Sequence, residues 1–346
     1  MKALFLAGGM GTRLRPLTNH IPKPMVPVMG VPLLARSVRE LKRCGISEIV
    51  LSTCYCSDRI EKYFGDEINN GLKIQCVCEG KPLGTGGAIK NCQKYFDGTF
   101  LIFNSDILSN IDVKAMVDFH KKNHADVTIA AAQVKDPSSY GVIEYDSDDK
   151  IVSFTEKPKS GEEKSNYINA GVYVFEPKVL DLIPSGIPVS VERDTFPLLL
   201  KKGYHMAVFR KSEYWIDIGT PEKYMQAHKD IFDGSCSIPE NNFKNDKIYG
   251  LANAKLDPTV KIKGPVWFGK NVHIGANAVI GPNVVIGNGF EAGRGCEITN
   301  SVIWSNVSVG SGVDIEHSVI TSGCHIENGT QCANTIYSQE SKLPFA

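Results

Sequence analysis

The stretch Val272-His273-Ile274-Gly275-Ala276-Asn277-Ala278-Val279-Ile280-Gly281-Pro282-Asn283-Val284-Val285-Ile286-Gly287 decides the architecture of the C-terminal third. Ile274, Ile280 and Ile286 stand six apart, and a glycine follows each. The same register runs outward through Ile262, Phe268, Ala292, Ile298 and Trp304. Two places before each member stands Val260, Val266, Val272, Ala278, Val284, Phe290, Cys296 or Val302. The phase slips by one at Val309 and Ile315, and again at Ile320 and Ile326. Such hexapeptide repeats wind a left-handed parallel β-helix, each repeat forming one side of a triangular coil. Residues 260–330 are expected to supply about four coils of roughly 18 residues. A loop-rich β-sandwich would not hold one period over so many positions.

Upstream the pattern is different. Ala3–Ala7 is an apolar run ending in glycines, and Leu33, Leu34, Val38 and Leu41 recur at helical spacing. Glu48–Thr53 reads as a strand, Asp58–Phe64 as a helix, Lys73–Cys78 as a strand, Gly86–Tyr95 as a helix and Phe100–Asn104 as a strand. This alternation predicts an α/β domain over residues 1–232, a Rossmann-like, mainly parallel sheet flanked by helices. Asp233–Tyr249 is polar and turn-rich and reads as a linker, with the repeat domain over 250–346. Ligands of such sheets sit at the carboxyl ends of the strands, where both Gly8–Arg13 and Asn104–Asp106 fall.

With 38 basic and 38 acidic side chains the formal net charge is zero, which argues against a nucleic-acid partner. A phosphate ligand must then be met by a few placed cations. No stretch approaches the roughly 18 apolar residues of a membrane helix, and the first apolar run is too short for a signal peptide, so a cytoplasmic protein is expected. Cys54 with Cys56, and Cys76 with Cys78, are spaced to share one face of a strand. They read as small buried residues in a reducing compartment rather than metal ligands.

Gly8-Gly9-Met10-Gly11-Thr12-Arg13-Leu14-Arg15-Pro16-Leu17-Thr18 follows the first strand directly. Its glycines permit a tight turn that brings backbone N–H groups onto phosphate oxygens. Arg13 adds a bidentate fork, and Lys23, between Pro22 and Pro24, a point charge. Neither the Gly-Lys-Ser/Thr ending of a P-loop nor the dinucleotide fingerprint is present.

This string, followed by Pro22-Lys23-Pro24-Met25, closely resembles the signature of the sugar-1-phosphate nucleotidyltransferases. Six further segments resemble that family in order and spacing across the N-terminal 230 residues or so. Pro82-Leu83-Gly84-Thr85-Gly86-Gly87 looks like its base-binding segment, and Phe103-Asn104-Ser105-Asp106 like its metal-binding strand end. Tyr140-Gly141-Val142, Glu156-Lys157-Pro158 and Asn169-Ala170-Gly171 look like sugar-site segments. Trp215-Ile216-Asp217-Ile218-Gly219-Thr220 looks like its second metal-ligand motif.

The resemblance implies transfer of a nucleotidyl group from a nucleoside triphosphate to a sugar 1-phosphate, with release of pyrophosphate. It implies Arg13, Lys23, Asp106, Lys157 and Asp217 as catalytic residues, with Asp106 and Asp217 holding Mg²⁺. The nucleotide would lie along Leu6, Ala7, Gly8, Gly9, Gly11, Thr12 and Arg13, with Pro82, Gly84, Thr85, Asn104 and Asp106. Glu79 stands where a base-reading side chain would fall, or is a surface charge. Gly141, Glu156, Lys157, Asn169 and Gly171 would receive the sugar phosphate. Ile168–Tyr173 and Ser190-Val191-Glu192-Arg193-Asp194 resemble the mannose-1-phosphate guanylyltransferases most, which implies GTP and mannose 1-phosphate. The alternative is a glucose-1-phosphate thymidylyl- or uridylyltransferase. A β-helix acetyltransferase using His273, His317 or His325, and an inactive regulatory subunit, are further readings. The repeat domain is expected to serve homo-oligomer assembly.

Overall fold

The computed structural model describes residues 1–9, 11–53, 57–69, 71–159, 161–238 and 248–345. Cys54 and Cys56, and most of the expected linker, lie outside them. The chain forms two compact units. The first comprises Met1–Met10, Pro22–Pro24 and Leu34–Ile216, and the second Gly11–Ile21, Met25–Leu33 and Asp217–Ala346.

The first unit starts with β1 (Lys2–Leu6), α1 (Leu33–Arg43), β2 (Glu48–Thr53), α2 (Ser57–Asn69), β3 (Lys73–Cys78), α3 (Gly84–Asn91) and β4 (Phe100–Asn104). These strands pair in parallel in the order β3-β2-β1-β4, so the chain first winds one way from β1 and then crosses to its other side. The apolar spacing read from α1 is its buried face: Leu33, Leu34, Val38 and Leu41 are each about 1% exposed or less. β5 (Ile107–Ile111), α4 (Val113–Lys122), β6 (Val127–Gln133), β7 (Gly141–Tyr145), β8 (Ile151–Glu156), β9 (Tyr167–Phe175), α5 (Phe196–Lys201), β10 (Met206–Phe209) and β11 (Ser212–Asp217) follow.

Beyond β4 the sheet turns antiparallel. β9 pairs with β4, β6 and β7, and β7 with β8, all antiparallel. The mainly parallel sheet is thus confirmed for the half formed by β3-β2-β1-β4 and continues as a mixed one. Phe100, Ile102, Tyr173, Phe175 and Phe196 form its core. β3 is the edge strand, and this overturns the expected burial of the second cysteine pair: Cys76 is half-buried and Cys78 exposed, both as free thiols. Burial pushes the Cys76 thiol up to about 12, which keeps it unreactive.

In the second unit α6 (Pro221–Phe232) precedes a parallel β-helix of three sheets. Val266 pairs with Val284, eighteen positions on, but Val285 pairs with Val302, and Ile303 with Ile320, seventeen on. The phase slip read from the sequence is this shortening, and it begins before Trp304. Ile303 therefore occupies the core position expected for Trp304, and the indole is turned out of the coil. Buried hydroxyls satisfy the tighter corner. Ser301 Oγ accepts from Ser318 N, and Ser318 Oγ from Thr335 N. The outward residues of the sheet carrying Trp267 are apolar, and Val285, Val302, Val319 and Ile336 are at most 3% exposed. The other two sheets turn His273, Glu291, His325, Glu297, Asp314 and Gln331 outward, and all six are exposed.

Candidate functional site

In the first unit the site forms where the strand order reverses. Leu6 at the end of β1 lies opposite Asn104 at the end of β4. Ser105 Oγ donates to Leu6 O at 2.7 Å, tying the two strand ends together. Ala7 N reaches Ser52 O on β2 at 2.8 Å, which launches Gly8 and Gly9 from the sheet edge. Asp106 then projects at the rim, where its Oδ2 accepts from Lys23 Nζ at 2.5 Å. The pair is half-sheltered, the side chains being 12% and 30% exposed. Asp106 is therefore not the cap of its own turn.

A second cluster forms at a bulge in β9, where the register shifts between Asn169 and Tyr173. Bulges re-aim side chains. Asn169 Oδ1 accepts from Gly171 N, and Asn169 Nδ2 donates to the buried Tyr173 hydroxyl, each at 2.9 Å. Gly171 has φ +72°, and a Cβ there would stand 2.8 Å from Asn104 Nδ2. Among the described residues, Asn104 Oδ1 is the buried side-chain polar atom left without a hydrogen-bond partner. Glu156 ends β8 beside Gly141, where an added Cβ would come within 2.9 Å of Glu156 Oε2. Burial first, and the nearby Glu192 carboxylate second, raise the Glu156 pKa, while Lys157 and Arg193 oppose them. Lys157 is exposed and held in the left-handed region at φ +49°, its N–H donating to Tyr140 O at 2.9 Å. A non-glycine residue so strained is most often found at a functional position.

The segment Pro82–Gly87 is closed against Val189. Gly86 N and Gly87 N both donate to Val189 O, at 2.8 and 3.2 Å, and Val189 N donates to Leu83 O. The glycines thus admit a neighbouring chain segment, and these two amides are not spare. Thr85 Oγ1 donates to Glu192 Oε2 at 2.7 Å and accepts from Val191 N. Glu79 is held by Ser52 Oγ and Leu83 N, at 2.9 and 3.1 Å. Its carboxylate shapes the approach to α3 and is no loose surface charge.

In the second unit Gly11 is left-handed at φ +59° and starts a short helical turn, Thr12–Leu14, with Thr12 and Arg13 exposed. A Cβ on Gly219 would meet Asp217 Oδ2 at 2.9 Å and Arg13 Nη2 at 3.4 Å, so arginine, carboxylate and a bare backbone share one spot. Asp217 also pairs with Lys223. Thr220, not Asp217, caps α6, accepting from Lys223 N.

The structure thus gathers Asn104, Gly141, Glu156, Asn169 and Gly171 on neighbouring strands, pairs Lys23 with Asp106, and brings Arg13 and Asp217 to the same glycine, Gly219. It adds residues that sequence reasoning did not single out. Glu192 sits on a π-helical turn, Val191–Thr195, a rare form that tends to mark functional sites. Its signal was available in Ser190–Asp194, read there for substrate class alone. Tyr173 closes the segment Ile168–Tyr173, likewise read for substrate class alone, and Lys223 was not singled out. Among the described residues no three His, Cys, Asp or Glu side chains gather as a metal site. Asp106 and Asp217 are each compensated by a lysine, Lys23 and Lys223 respectively.

Residues 2–234 match the nucleotidyl transferase family, and residues 262–343 the family described as the GMPPB C-terminal domain. A mannose-1-phosphate guanylyltransferase of Mycobacterium tuberculosis is 42% identical over 239 residues, covering 68% of this chain and 66% of that protein. The UTP--glucose-1-phosphate uridylyltransferase of Synechocystis is 33% identical over 320 residues, covering 88% of this chain and 82% of that one. Among solved structures, HddC from Yersinia pseudotuberculosis complexed with GMP-PN shares 34% identity at a TM-score of 0.55, covering 65% of this chain and 97% of HddC. Enzymes of this kind typically use a divalent metal. With its motifs placed at the strand ends and its N-terminal 230 residues or so matched throughout, the chain belongs to the nucleotidyl transferase family and is a sugar-1-phosphate nucleotidyltransferase.

Proposed function

We propose that the chain transfers a guanylyl group from GTP to mannose 1-phosphate, forming GDP-mannose and pyrophosphate. The observation that carries the sugar half is the polar cluster on β4, β8 and β9. Asn104 Oδ1 is buried and unpaired there, a condition that costs about 1–3 kcal/mol unless a ligand donor satisfies it. Glu156, Asn169, Glu192 and Asn104 all act on the Tyr173 hydroxyl and together offer acceptors and donors for hydroxyl groups, and Lys157 offers a cation to the phosphate. The nucleobase rests on likeness: the mycobacterial relative is a guanylyltransferase, the HddC complex holds GMP-PN, and the C-terminal match is to a GMPPB domain.

In this reading a phosphate oxygen of the sugar substrate bonds to the α-phosphorus while the bond to the bridging oxygen of the leaving pyrophosphate breaks. A phosphate monoester is largely dianionic at neutral pH, so no side chain need remove a proton. The work left to the protein is alignment and charge compensation. Gly8, Gly9 and Gly11 turn backbone amides toward phosphate, Arg13 and Lys23 supply positive charge, and Lys157 holds the acceptor phosphate. Asp106 and Asp217 would hold Mg²⁺, their hard oxygens fitting that ion, which supplies charge neutralisation when bound. Nucleotide contacts along Leu6, Ala7, Thr12, Pro82, Gly84 and Thr85, with Glu79 shaping the base pocket, complete the reading. We also propose a homo-oligomer assembled through the β-helix; light scattering at the 37.9 kDa monomer mass would refute it.

The test is a matrix of GTP, UTP, dTTP, ATP and CTP against mannose, glucose, galactose and glucosamine 1-phosphates, read by pyrophosphate release. The largest kcat/KM is expected for GTP with mannose 1-phosphate. A maximum at UTP or dTTP with glucose 1-phosphate would instead place the chain with the Synechocystis relative. An acetyltransferase role gains no support from the repeat domain, where His325 is held by Ser308 Oγ and His317 lies against Phe345.

A further inference from the structure

The turned-out indole of Trp304 does not end at the β-helix surface. Its Nε1 donates to the Tyr224 hydroxyl at 2.9 Å, and that hydroxyl donates to Pro27 O at 2.6 Å. Tyr224 is fully buried and Trp304 6% exposed. One turn further along α6, His228 Nε2 accepts from Met29 N at 3.1 Å, while Nδ1 faces Tyr224 O at 2.9 Å. That pairing requires the neutral ring with its proton on Nδ1. The Trp267 ring lies against Gly30, 2.4 Å from where a Cβ would stand. Three contacts from the repeat domain and α6 therefore fix one short strap, Pro27–Gly30, with Trp304 behind one of them, and all belong to the second unit.

The strap sits at a sensitive place in the chain. Pro27 follows Lys23 by four residues, with Pro24 stiffening the step. At the other end, α6 begins at Pro221, four residues after Asp217, and is capped by Thr220. Tyr224 thus clamps the segment leading from Lys23 to the helix leading from Asp217. We propose that Trp304, Tyr224 and His228 are positioning residues for nucleotidyl transfer, so that the β-helix fixes the strap that follows Lys23 and the helix that follows Asp217 as well as any role it has in assembly. The proposal rests on the reading of Lys23 and Asp217 given above.

The reasoning is geometric. Effective alignment of two anions tolerates displacements well below 1 Å, and a strap held by single hydrogen bonds to a rigid coil transmits its position without touching substrate. The Tyr224 hydroxyl has one proton to give and gives it to Pro27, while Trp304 fixes the direction in which the hydroxyl points. Removing the indole donor frees that hydroxyl to rotate.

The experiment uses the full chain carrying Trp304→Phe, which keeps an aromatic ring and removes the donor, together with Tyr224→Phe and the double variant. Hydrogen exchange of the Met25–Leu33 amides is read alongside kcat and KM for both substrates at a temperature where every variant is folded. Trp304→Phe is expected to speed Met29 exchange about five-fold or more and to lower kcat by about five- to twenty-fold. Because both side chains act through one hydroxyl, the double variant is expected to match Tyr224→Phe alone. Unchanged exchange in the strap, unchanged kcat in a variant that merely melts earlier, or additive losses in the double variant would each overturn the proposal. A wild-type chain with no turnover on any substrate pair would instead sink the functional reading, while the exchange measurement still decides whether the strap is held by Trp304.

Discussion

Replacing Gly171 by alanine places one methyl group at the bulge of β9, directly against Asn104. Two penalties can be worked out from the geometry. The left-handed dihedral, φ +72°, costs an L-residue about 1–2 kcal/mol. The new Cβ would stand 2.8 Å from Asn104 Nδ2 and 3.0 Å from its Cβ, overpacking that costs about 1–3 kcal/mol. Together they come to about 3 kcal/mol, or about 6–12 °C in Tm for a unit of roughly 200 residues. Relief of the contact must move the Asn104 amide, whose unpaired Oδ1 is assigned here to a sugar hydroxyl. Loss of that contact is expected to raise the KM for sugar phosphate about ten-fold, with the KM for nucleotide triphosphate changed less than two-fold. Pyrophosphate release measured well below the transition, with scanning calorimetry on the same samples, reads both effects. Gly171→Asn separates them, because asparagine tolerates the dihedral but still carries the Cβ. A normal sugar-phosphate KM in a destabilised Gly171→Ala protein would refute the placement of Asn104 in the sugar site.

Asp106→Asn and Asp217→Asn are each expected to lower kcat by more than about 1,000-fold while far-UV circular dichroism stays native. Full activity in both would show that the metal site has been misplaced. Glu156→Gln is expected to raise Tm at pH 7 while weakening sugar-phosphate binding. The sign follows from its raised pKa: such a carboxyl contributes stability below its unfolded value, and the contribution is lost as pH rises through the folded value. The Tm gain should therefore shrink as pH falls toward 4, and a gain that grows toward acid would contradict the shift. Chelation by EDTA should stop turnover and be reversed by Mg²⁺, with little change in Tm, because Asp106 and Asp217 keep their lysine partners without metal. A large Tm loss on chelation would point to a structural ion instead.

Much of this was legible because it depends on local rules. The boundaries of Glu48–Thr53, Lys73–Cys78 and Phe100–Asn104 follow from short apolar runs cut by turn residues, and the structure reproduces them. The six-residue period exposed the β-helix for the same reason. Trp304 was misassigned because a single missing residue rotates every later side chain around the coil. The shift is visible as a phase slip, but its starting point depends on which turn shortens. The bulge at Asn169–Tyr173 and the antiparallel half of the sheet depend on pairing between segments far apart in sequence, which periodicity cannot report. Glu192 and Tyr173 join the site for that same reason. The apolar outward stripe Trp267, Val285, Val302, Val319 and Ile336 was readable, at spacings of one coil, and marks the side of the β-helix that is covered.

Because the second unit gathers Gly11–Ile21 and Met25–Leu33 with Asp217–Ala346, it is discontinuous along the chain. During synthesis the loop bearing Arg13 leaves the ribosome among the first residues, yet the aromatic pair that completes its unit is not finished until Trp304 is translated. The Rossmann-like sheet can condense long before then, but the turn at Thr12–Leu14 must wait for the rest of its own unit. A ribosome stalled between residues 240 and 300 would carry a folded sheet and an unfinished second unit, and the role proposed for Trp304 predicts that turnover first appears in nascent chains long enough to release that indole.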